Sequence, residues 1–348
     1  MSLENLRDTL SDVDRQIIEL VAERQRIVSE IGRNKRTEGA ATRDYAREKE
    51  VVDKGRAQAN DLGIDPDLAE SILTTLIRSS LASQERDRVV AEGKGDGRSV
   101  LVIGGAGKMG GWFVDFFASQ GFDVAIADAT VEDGPGRFRN WTDAGVDFDV
   151  IVVATPLAVS GRILAQLAVL KPTGLVFDIG SLKTPLIDGL HELVNAGCHA
   201  TSIHPMFGPD TRLLSGRHLI ICDAGSPEAT AAARELFDST MVEQLEMGLD
   251  EHDRHIAYVL GLSHALNIAF FTALAESGEA APALARMSST TFDSQLLVSS
   301  DVAHDNPHLY FEIQNLNRFG LGPLDALVDA SQRIREVVAK GDEQGFVD

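Results

Sequence analysis

The dipeptide His204-Pro205 contains the side chain in this sequence that is best suited to catalysis. Proline disfavours the helical conformation in the residue before it, so His204 is predicted on an extended segment. Ser181 follows the preceding apolar segment, and neighbouring parallel strands end at the same edge of a sheet. Because imidazole titrates near neutral pH, His204 is suited to accept a hydroxyl proton, with Ser181 orienting it or sharing the hydrogen bond of the hydroxyl. A structural histidine and a helix-capping serine are the alternatives.

A glycine-rich turn lies upstream of this pair. The run Gly105-Ala106-Gly107-Lys108-Met109-Gly110 follows a strand-like segment and opens a helical pattern. Glycines at these spacings allow a tight turn, so that backbone N–H groups and a helix N-terminus can approach a pyrophosphate. The motif therefore predicts a dinucleotide site built on Gly105, Gly107 and Gly110, although the same glycines would also suit an ordinary tight turn.

Two polar residues at later strand ends refine the predicted cofactor. Asp128 ends the second predicted strand, where a carboxylate accepts hydrogen bonds from the adenosine ribose and repels a 2′-phosphate. We therefore expect NAD in preference to NADP, with an ordinary turn residue as the alternative for Asp128. Thr155 ends a later strand and either borders the nicotinamide half of the cofactor or simply terminates the strand.

The N-terminal segment predicts a long helix with cations in an apolar seam. Apolar residues recur at alternating three- and four-residue steps, and Arg24 stands in a slot where the next apolar residue is expected. Arg24 and Lys35 are eleven residues apart, so at roughly 100° per residue they face nearly the same direction. Burying two cations on one helix face is costly unless an anion lies between the helices. A dimerisation coil with solvated charges is the alternative.

The hydrophobic patterns divide the chain into four stretches. Residues 1–90 are helical in pattern, 91–98 form a glycine-rich linker, 99–248 alternate short strands with helices, and 249–348 are helical again. Alternation of strands and helices is typical of a parallel sheet covered on both faces. The predicted fold is therefore multidomain: an all-α N-terminal module, an α/β Rossmann domain with a doubly wound parallel sheet, and an all-α C-terminal domain.

Composition restricts the partners of the chain. The 348 residues carry 53 acidic and 32 basic side chains, and the formal net charge of -21 disfavours binding to nucleic acid or to an anionic membrane. Lysine is scarce, with 8 residues against 24 arginines, and such an acidic surface fits a high-salt, halophilic cytoplasm. Cys198 and Cys222 show neither metal-ligand spacing nor a disulfide framework, so no metal is expected. With no signal peptide or long apolar run expected, the predicted location is cytoplasmic.

The run His-Pro-Met-Phe-Gly-Pro-Asp at 204–210 resembles the prephenate dehydrogenases of tyrosine biosynthesis. The resemblance implies NAD-dependent oxidation at the ring hydroxyl, coupled to loss of the ring carboxylate, to give 4-hydroxyphenylpyruvate. It extends to His252-Asp253 and to His264, which in similar dehydrogenases lies near the substrate, with a buried core histidine as the alternative. Related enzymes carry an arginine where Asp293 stands, so Arg286 becomes the substitute anchor if one helix runs through both residues. Both prephenate and arogenate stay open as substrates.

The N-terminal stretch resembles the all-helical chorismate mutases at eight polar positions, namely Arg7, Arg24, Lys35, Asp44, Arg47, Glu48, Ser80 and Gln84. The resemblance implies that arginines hold the two carboxylates of chorismate, with Arg7 reaching across from the second subunit of a homodimer. It also implies that Lys35 and Gln84 donate to the breaking ether oxygen and that Glu48 holds the ring hydroxyl.

The two resemblances agree with each other, because the product of the first activity is the substrate of the second. The leading hypothesis is a bifunctional enzyme that takes chorismate and prephenate as substrates. A second hypothesis keeps a dehydrogenase for prephenate or arogenate but makes the N-terminal module a regulatory or dimerising unit without catalysis. A third is an oxidoreductase for a simple hydroxy acid, which the 204–210 motif disfavours.

Overall fold

The computed structural model describes residues 2–279, 281–304 and 306–347. It consists of two compact units, each assembled from several stretches of chain. The first unit comprises Met1–Ala144, Met206–Leu219 and Ala232–Gln244, and the second comprises Gly145–Pro205, Ile220–Ala231 and Leu245–Asp348. The helical N-terminal module belongs wholly to the first unit.

Three helices form the N-terminal module, as the sequence predicts. They are α1 (Leu3–Glu38), α2 (Tyr45–Leu62) and α3 (Pro66–Ala91). Each begins at a capping side chain, because Ser2, Asp44 and Asp65 accept hydrogen bonds from backbone N–H groups of the first turn. The first two helices end at a glycine in the left-handed conformation, which closes the last turn without a steric penalty.

The connection that follows α3 is closely packed. The N–H group of Gly95 donates to the carbonyl oxygen of Gln120 over 3.0 Å. A Cβ atom on Gly95 would lie 2.1 Å from the carbonyl carbon of Gly121, and one on Gly93 would lie 2.5 Å from the carbonyl oxygen of Gln120. The glycines of this stretch are therefore required by a close approach between two backbones.

A buried carboxylate also fastens α3 to two later segments of the first unit. Glu85 accepts hydrogen bonds from Leu214 N over 2.7 Å and from Met241 N. Burial raises the pKa of Glu85 above its usual value, and this effect outweighs the two backbone donors, which act in the opposite direction. The helix that closes the N-terminal module is thus bonded to the segments around residues 214 and 241.

The first unit contains three parallel strands. They are β1 (Ser99–Ile103), β2 (Asp123–Ala127) and β3 (Arg137–Phe138), paired in the order β3-β2-β1. Helices α4 (Lys108–Ser119) and α5 (Trp141–Ala144) follow β1 and β3. β1 has four buried apolar residues in succession, as expected for a strand covered on both faces. On α4, the ring of Phe116 stacks on Phe237 with centroids 4.9 Å apart, which joins this helix to the last stretch of the unit.

The second unit repeats this parallel arrangement. Its strands β4 (Val150–Val153), β5 (Leu175–Asp178) and β6 (His199–Pro205) pair in the order β4-β5-β6. The connections are helical, namely α6 (Leu157–Leu170) and α7 (Ile187–Asn195). Further along the chain lie β7 (His218–Asp223), α8 (Pro227–Glu235) and β8 (Glu243–Gly248). The predicted parallel α/β fold is confirmed, while β3 and β8 have no counterpart in the sequence prediction.

The C-terminal stretch is helical, as predicted. It begins with α9 (Leu249–Ile256), a π-helical segment (Ala257–Leu262) and α10 (Ser263–Glu276) in direct succession. It continues with α11 (Ala281–Arg286), α12 (Thr290–His304), α13 (Pro307–Asn315), α14 (Leu321–Lys340) and α15 (Glu343–Val347). The predicted sequence of a helical module, an α/β domain and a helical domain is therefore confirmed.

The helical run Leu249–Glu276 corrects one expectation from the sequence. Among the described residues it is the one helix long and apolar enough to cross a membrane by length and composition, so the expectation of no long apolar run was wrong. The core helix of a soluble protein passes the same test, which makes the observation weak evidence for a membrane span.

Candidate active sites

A cavity of about 540 Å³ lies between the three N-terminal helices. It collects most of the polar residues that the sequence singles out, namely Arg24, Lys35, Asp44, Arg47, Glu48, Ser80 and Gln84. Arg7 is not among the lining residues, because it lies on the exposed N-terminal part of α1. Side chains from the middle of α1, the start of α2 and the end of α3 therefore share one concave site.

Arg24 and Gln84 offer polar groups to a ligand inside this cavity. The Nη1 atom of Arg24 donates to Leu76 O over 3.0 Å and to the hydroxyl of Ser80. Burial lowers the pKa of Arg24 from its usual value, which shows that this cation has lost part of its hydration. The Oε1 atom of Gln84 is buried without a hydrogen-bond partner. Polar groups held in this state favour a polar ligand that completes their bonding.

The start of α2 orders the other side of the cavity. Lys35 donates to Thr42 O over 2.8 Å, and Asp44 caps α2 by accepting from Arg47 N over 3.0 Å. The Arg47 side chain, 61% exposed, pairs with Glu50 over 2.6 Å. Lys35 and Asp44 therefore fix the loop between α1 and α2, and Arg47 contributes its backbone to the cap.

Arg43 is a cavity neighbour that the sequence reading missed. Its Nε atom donates to Glu48 Oε1 and its Nη2 atom to Glu48 Oε2, each over 2.9 Å, which makes a bidentate pair. The same guanidinium lies over the ring of Tyr45, with 4.2 Å to the centroid. Because Arg43 falls outside the helical seam, no periodic signal distinguishes it from an ordinary loop arginine.

The glycine turn of the first unit has the geometry of a dinucleotide site. Helix α4 begins after Gly107, and a Cβ atom on Gly110 would lie 2.1 Å from Gly104 O. A Cβ atom on Gly105 would lie 2.8 Å from the Ile126 side chain. The three predicted glycines thus hold the helix N-terminus close against the strand, which leaves a backbone cradle of the kind that binds pyrophosphate.

Asp128 lies beside this turn, as predicted. Its Oδ2 atom accepts from Ala106 N over 3.2 Å, and its Oδ1 atom accepts from the N–H and hydroxyl groups of Thr130 over 2.9 and 2.7 Å. Burial tends to raise the pKa of Asp128, but these hydrogen bonds outweigh it, and the pKa lies below its usual value. A carboxylate is therefore held ionised next to the glycine turn.

His204 in the second unit belongs to a buried relay. Its Nδ1 atom lies 2.9 Å from His252 Nε2, and His252 Nδ1 lies 2.8 Å from Asp253 Oδ1. Burial lowers the pKa of His252 and favours its neutral form. Since an ionised carboxylate only accepts hydrogen bonds, neutral His252 donates from Nδ1 and accepts at Nε2. His204 then donates from Nδ1, and the lone pair of the His204 ring lies on Nε2. The relay fixes the tautomer of His204.

The electrostatics of the relay keep His204 neutral. Burial is the main cause that holds the pKa of His204 well below its usual value, and the positive charges of Lys183 and of His252, once His252 is protonated, act in the same direction. Burial tends to raise the pKa of Asp253, but hydrogen bonds from His252, Thr184 and Lys183 outweigh it and the pKa is lowered. A neutral imidazole with a free lone pair is the form that a general base requires.

Asp253 is anchored by a loop that follows β5. Its carboxylate accepts from Lys183 N over 2.8 Å and from both the N–H and the hydroxyl of Thr184 over 2.6 Å. The ammonium of Lys183 bonds to Asp178 over 3.2 Å, to Gly180 O over 2.7 Å and to Ile203 O over 2.9 Å. These three bonds use all three donors of a fully buried side chain. Lys183 therefore cannot also anchor a substrate carboxylate.

Family comparisons match three stretches of the chain. They are chorismate mutase type II at residues 6–85, the nucleotide-binding domain of prephenate dehydrogenase at 131–243, and the dimerization domain of prephenate dehydrogenase at 249–348. The two dehydrogenase matches together cover more than half of the chain. The chain belongs to the prephenate dehydrogenase family. It carries a chorismate mutase type II domain at its N-terminus, and it is an enzyme of tyrosine biosynthesis with both activities.

Individual relatives agree with this assignment. The T-protein of Enterobacter agglomerans is 28% identical over 99% of this chain and 90% of its own length. The crystal structure of a prephenate dehydrogenase from A. aeolicus, in complex with hydroxyphenyl propionate and NAD+, matches with a TM-score of 0.55 at 17% identity, over 72% of this chain and 93% of its own. Synechocystis arogenate dehydrogenase matches with a TM-score of 0.54 at 17% identity, over 71% of this chain and 94% of its own. At this identity the two solved structures show the fold alone.

The remaining predicted residues of the dehydrogenase part are less tightly organised. Ser181 is half-buried in the loop after β5, and the partner that orients His204 is His252 rather than this serine. The hydroxyl of Thr155 lies 2.8 Å from that of Ser160, in the first turn of α6. His264 packs edge-on against Tyr310, with ring centroids 4.5 Å apart.

The expected helix through Arg286 and Asp293 is not formed. Helix α11 ends at the exposed Arg286, and α12 begins only at Thr290. Asp293 lies in the first turn of α12 and accepts a hydrogen bond from the hydroxyl of Ser288. The premise that placed Arg286 and Asp293 on one helix face was therefore wrong, because the Ser288-Ser289 pair favours a helix start at this point.

Proposed function

We propose that the N-terminal cavity is the catalytic site of the chorismate mutase and that His204 is the base of the dehydrogenase. The observation that carries the first part is the single cavity that collects Arg24, Lys35, Glu48 and Gln84 from three helices. The chorismate mutase type II match over residues 6–85 covers the parts of all three helices that line this cavity. The alternative of a non-catalytic N-terminal module is therefore disfavoured.

The rearrangement of chorismate needs no nucleophile, so the cavity works by positioning and by charge. Arg24, held by Ser80 and by Leu76 O, binds one carboxylate of the substrate. Lys35 and Gln84 donate to the ether oxygen, on which negative charge builds as its bond breaks. Glu48 holds the ring hydroxyl, while Asp44 and Arg47 keep the start of α2 in place.

The second carboxylate of chorismate is assigned to Arg7 of another copy of the chain. The first half of α1 carries a stripe of exposed apolar residues between 45% and 66% accessible, namely Leu3, Leu6, Leu10, Val13, Ile17 and Leu20. Such a stripe is typical of a helix that packs on a partner. The family match to a dimerization domain at 249–348 also supports a homodimer.

The dehydrogenase reaction is assigned to the relay of His204, His252 and Asp253. The backbone cradle at Gly110 and the ionised Asp128 fit the pyrophosphate and the adenosine ribose of NAD, which accepts the hydride when it is bound. His204 takes the hydroxyl proton at Nε2, with Ser181 as a second partner of that hydroxyl. The carbon that loses hydride becomes a carbonyl carbon. As the ring carboxylate leaves as carbon dioxide, the electron pair of the broken C–C bond passes through the ring to the carbonyl oxygen, which takes back the proton from His204 to give the phenol. Release of the carboxylate aromatises the ring and drives the reaction.

A two-substrate assay tests both parts. The chain is incubated with chorismate and NAD, while NADH and free prephenate are followed separately, and the assay is repeated with prephenate and with arogenate added directly. NADH from chorismate and from prephenate is the expected result. NADH from arogenate alone would reassign the second activity, and loss of chorismate turnover would leave the N-terminal module regulatory.

The same assay at increasing KCl concentration tests the proposed high-salt cytoplasmic setting. The net charge of -21 supports this proposal, because self-repulsion among carboxylates is screened by salt. The apparent melting temperature is expected to rise steeply with KCl. A melting temperature that is flat across the range would remove the halophilic proposal without touching the two activities.

A further inference from the structure

A second and larger cavity lies in the first unit, beside the proposed mutase site. Its volume is about 1250 Å³, and it is lined by residues from the start of α2, from α3 and from the segment 208–217. No role in either reaction has been assigned to it. The segment 208–217 begins within the sequence motif at 204–210.

The walls of this cavity carry an excess of positive charge. Six of the lining residues are basic and four are acidic, a difference of plus two in a chain whose net charge is -21. Three of the acids are already paired with basic neighbours, in the pairs Glu48–Arg43, Asp53–Lys49 and Glu70–Arg56. Within the described part of the chain, Arg78, Arg212 and Arg217 have no ion-pair partner. Three cations therefore face the cavity against one further acid, Asp210.

The two cavities share a wall. Glu48, Ile77 and Leu81 line both of them. The guanidinium of Arg43 forks onto the Glu48 carboxylate and donates from Nη1 to the Ser215 hydroxyl over 2.8 Å. Arg43 therefore links the acid proposed to hold the ring hydroxyl of chorismate to the segment on the far side of the larger cavity.

We propose that the larger cavity is a second anion site, which binds a small dicarboxylate of the kind that the mutase produces. An anion drawn in by Arg78, Arg212 and Arg217 also meets Arg43 and competes with Glu48 for it. Occupancy then weakens the hold of Arg43 on Glu48 and slows the mutase. This effect on the mutase rests on the proposed function of the N-terminal cavity, whereas the binding of the anion does not.

The test uses the full chain without NAD, so that the dehydrogenase is idle, and prephenate as the probe. In the wild type, prephenate is expected to lower the apparent kcat for chorismate by about fivefold or more at saturation, the lower range of coupling between two sites. In the double variant Arg212→Gln/Arg217→Gln, the kcat and KM without prephenate stay unchanged and the inhibition becomes purely competitive. The charge-matched control is Arg333→Gln/Arg335→Gln on α14, which should behave as the wild type.

Calorimetric titration with prephenate measures binding to the anion site directly and does not depend on mutase activity. The stoichiometry of the wild type is expected to exceed that of the Arg212→Gln/Arg217→Gln variant by one site per chain. Equal stoichiometry, or mixed inhibition that survives in the variant, overturns the proposal. If chorismate is not turned over at all, the proposed mutase function fails, while the titration still decides whether the anion site exists.

Discussion

The two proposed active sites differ in how their polar groups are satisfied. In the mutase cavity, the buried Oε1 atom of Gln84 has no partner and burial lowers the pKa of Arg24, so an acceptor and a cation both remain available to a ligand. In the dehydrogenase site, His204, His252 and Asp253 are bonded to each other in a fixed order. The contrast follows from the chemistry, because a pericyclic rearrangement needs donors aimed at developing charge and a proton transfer needs one defined tautomer.

The largest difference between the effects on the two activities is expected from His204→Asn. Asparagine cannot accept the hydroxyl proton, so kcat for prephenate oxidation should fall by roughly a thousandfold, within the usual range for a general base. Turnover of chorismate should not change, because His204 lies in the other unit from the mutase cavity. Steady-state rates for both reactions, together with NAD binding measured by fluorescence, check this. A dehydrogenase that keeps its rate would show that His204 is structural.

The complementary change is Lys35→Ala. Loss of one donor to the ether oxygen should lower kcat for chorismate by about a hundredfold or more. Oxidation of added prephenate should be retained, and Lys340→Ala, at the exposed end of α14, serves as the control. Parallel loss of both activities in Lys35→Ala would contradict the assignment of separate sites.

His252→Gln tests whether the relay sets the basicity of His204. Beyond burial, a proton taken up by His252 opposes a second proton on His204 and so lowers the pKa of His204, which means that removal of His252 should raise that pKa. The rate depends on neutral His204 and is lost as the pH falls through its pKa, so the acidic limb of the pH profile should move to higher pH. On the plateau the rate should fall by about tenfold, the value of one lost hydrogen bond. An acidic limb that does not move would mean that His252 only fills space.

Glu85→Gln should affect stability rather than either chemistry. The glutamine amide places an NH₂ group against one of two backbone donors, which should lower the free energy of unfolding by about 1–3 kcal/mol. Because the pKa of Glu85 is raised on folding, its contribution is complete below the unfolded pKa and is lost as the pH rises through the folded pKa. Urea unfolding at several pH values should therefore show the gap to the wild type narrowing with increasing pH. A gap that widens would reverse the sign of the pKa shift.

The smallest effect is expected from Asp128→Ser. Serine removes the charge that repels a 2′-phosphate, so the preference for NAD over NADP should narrow by about tenfold, chiefly through better use of NADP. Measured kcat/KM values for both cofactors check this, with the mutase rate as an internal control. An unchanged ratio would mean that the adenosine ribose is recognised by other residues.

The mutase cavity was largely predictable from the sequence, because its residues lie on helices whose periodicity fixes their faces. Arg24 and Lys35 share the face that the 3.6-residue period assigns to them, and both line the cavity. The dinucleotide turn was predictable for a similar reason, since its glycines act on residues close in sequence. The parallel strands followed from their apolar runs, apart from the two-residue β3 and the half-exposed β8.

The groups that join distant segments could not be predicted in this way. The relay depends on Asp253 meeting a loop 70 residues earlier in the chain, at Lys183, and no local pattern encodes that contact. Arg43 lies between helices, where spacing carries no information about its partner Glu48. The break between α11 and α12 was missed because a serine pair that can cap a helix was read as part of one.

The hydrogen bonds of Glu85 to Leu214 N and Met241 N limit how well the N-terminal module can be studied as a separate fragment. A fragment that ends near residue 90 would retain the carboxylate but lose Leu214 N and Met241 N, the donors that accompany its burial. Gln84, its neighbour on α3, is one of the residues proposed to touch the chorismate ether. In such a fragment, water would reach the region beside Gln84, so weak mutase activity would reflect the lost contacts of Glu85 and would not show that the proposed site is wrong. Separate expression of this mutase calls for an uncharged, well-packed replacement at position 85 before any rate is compared.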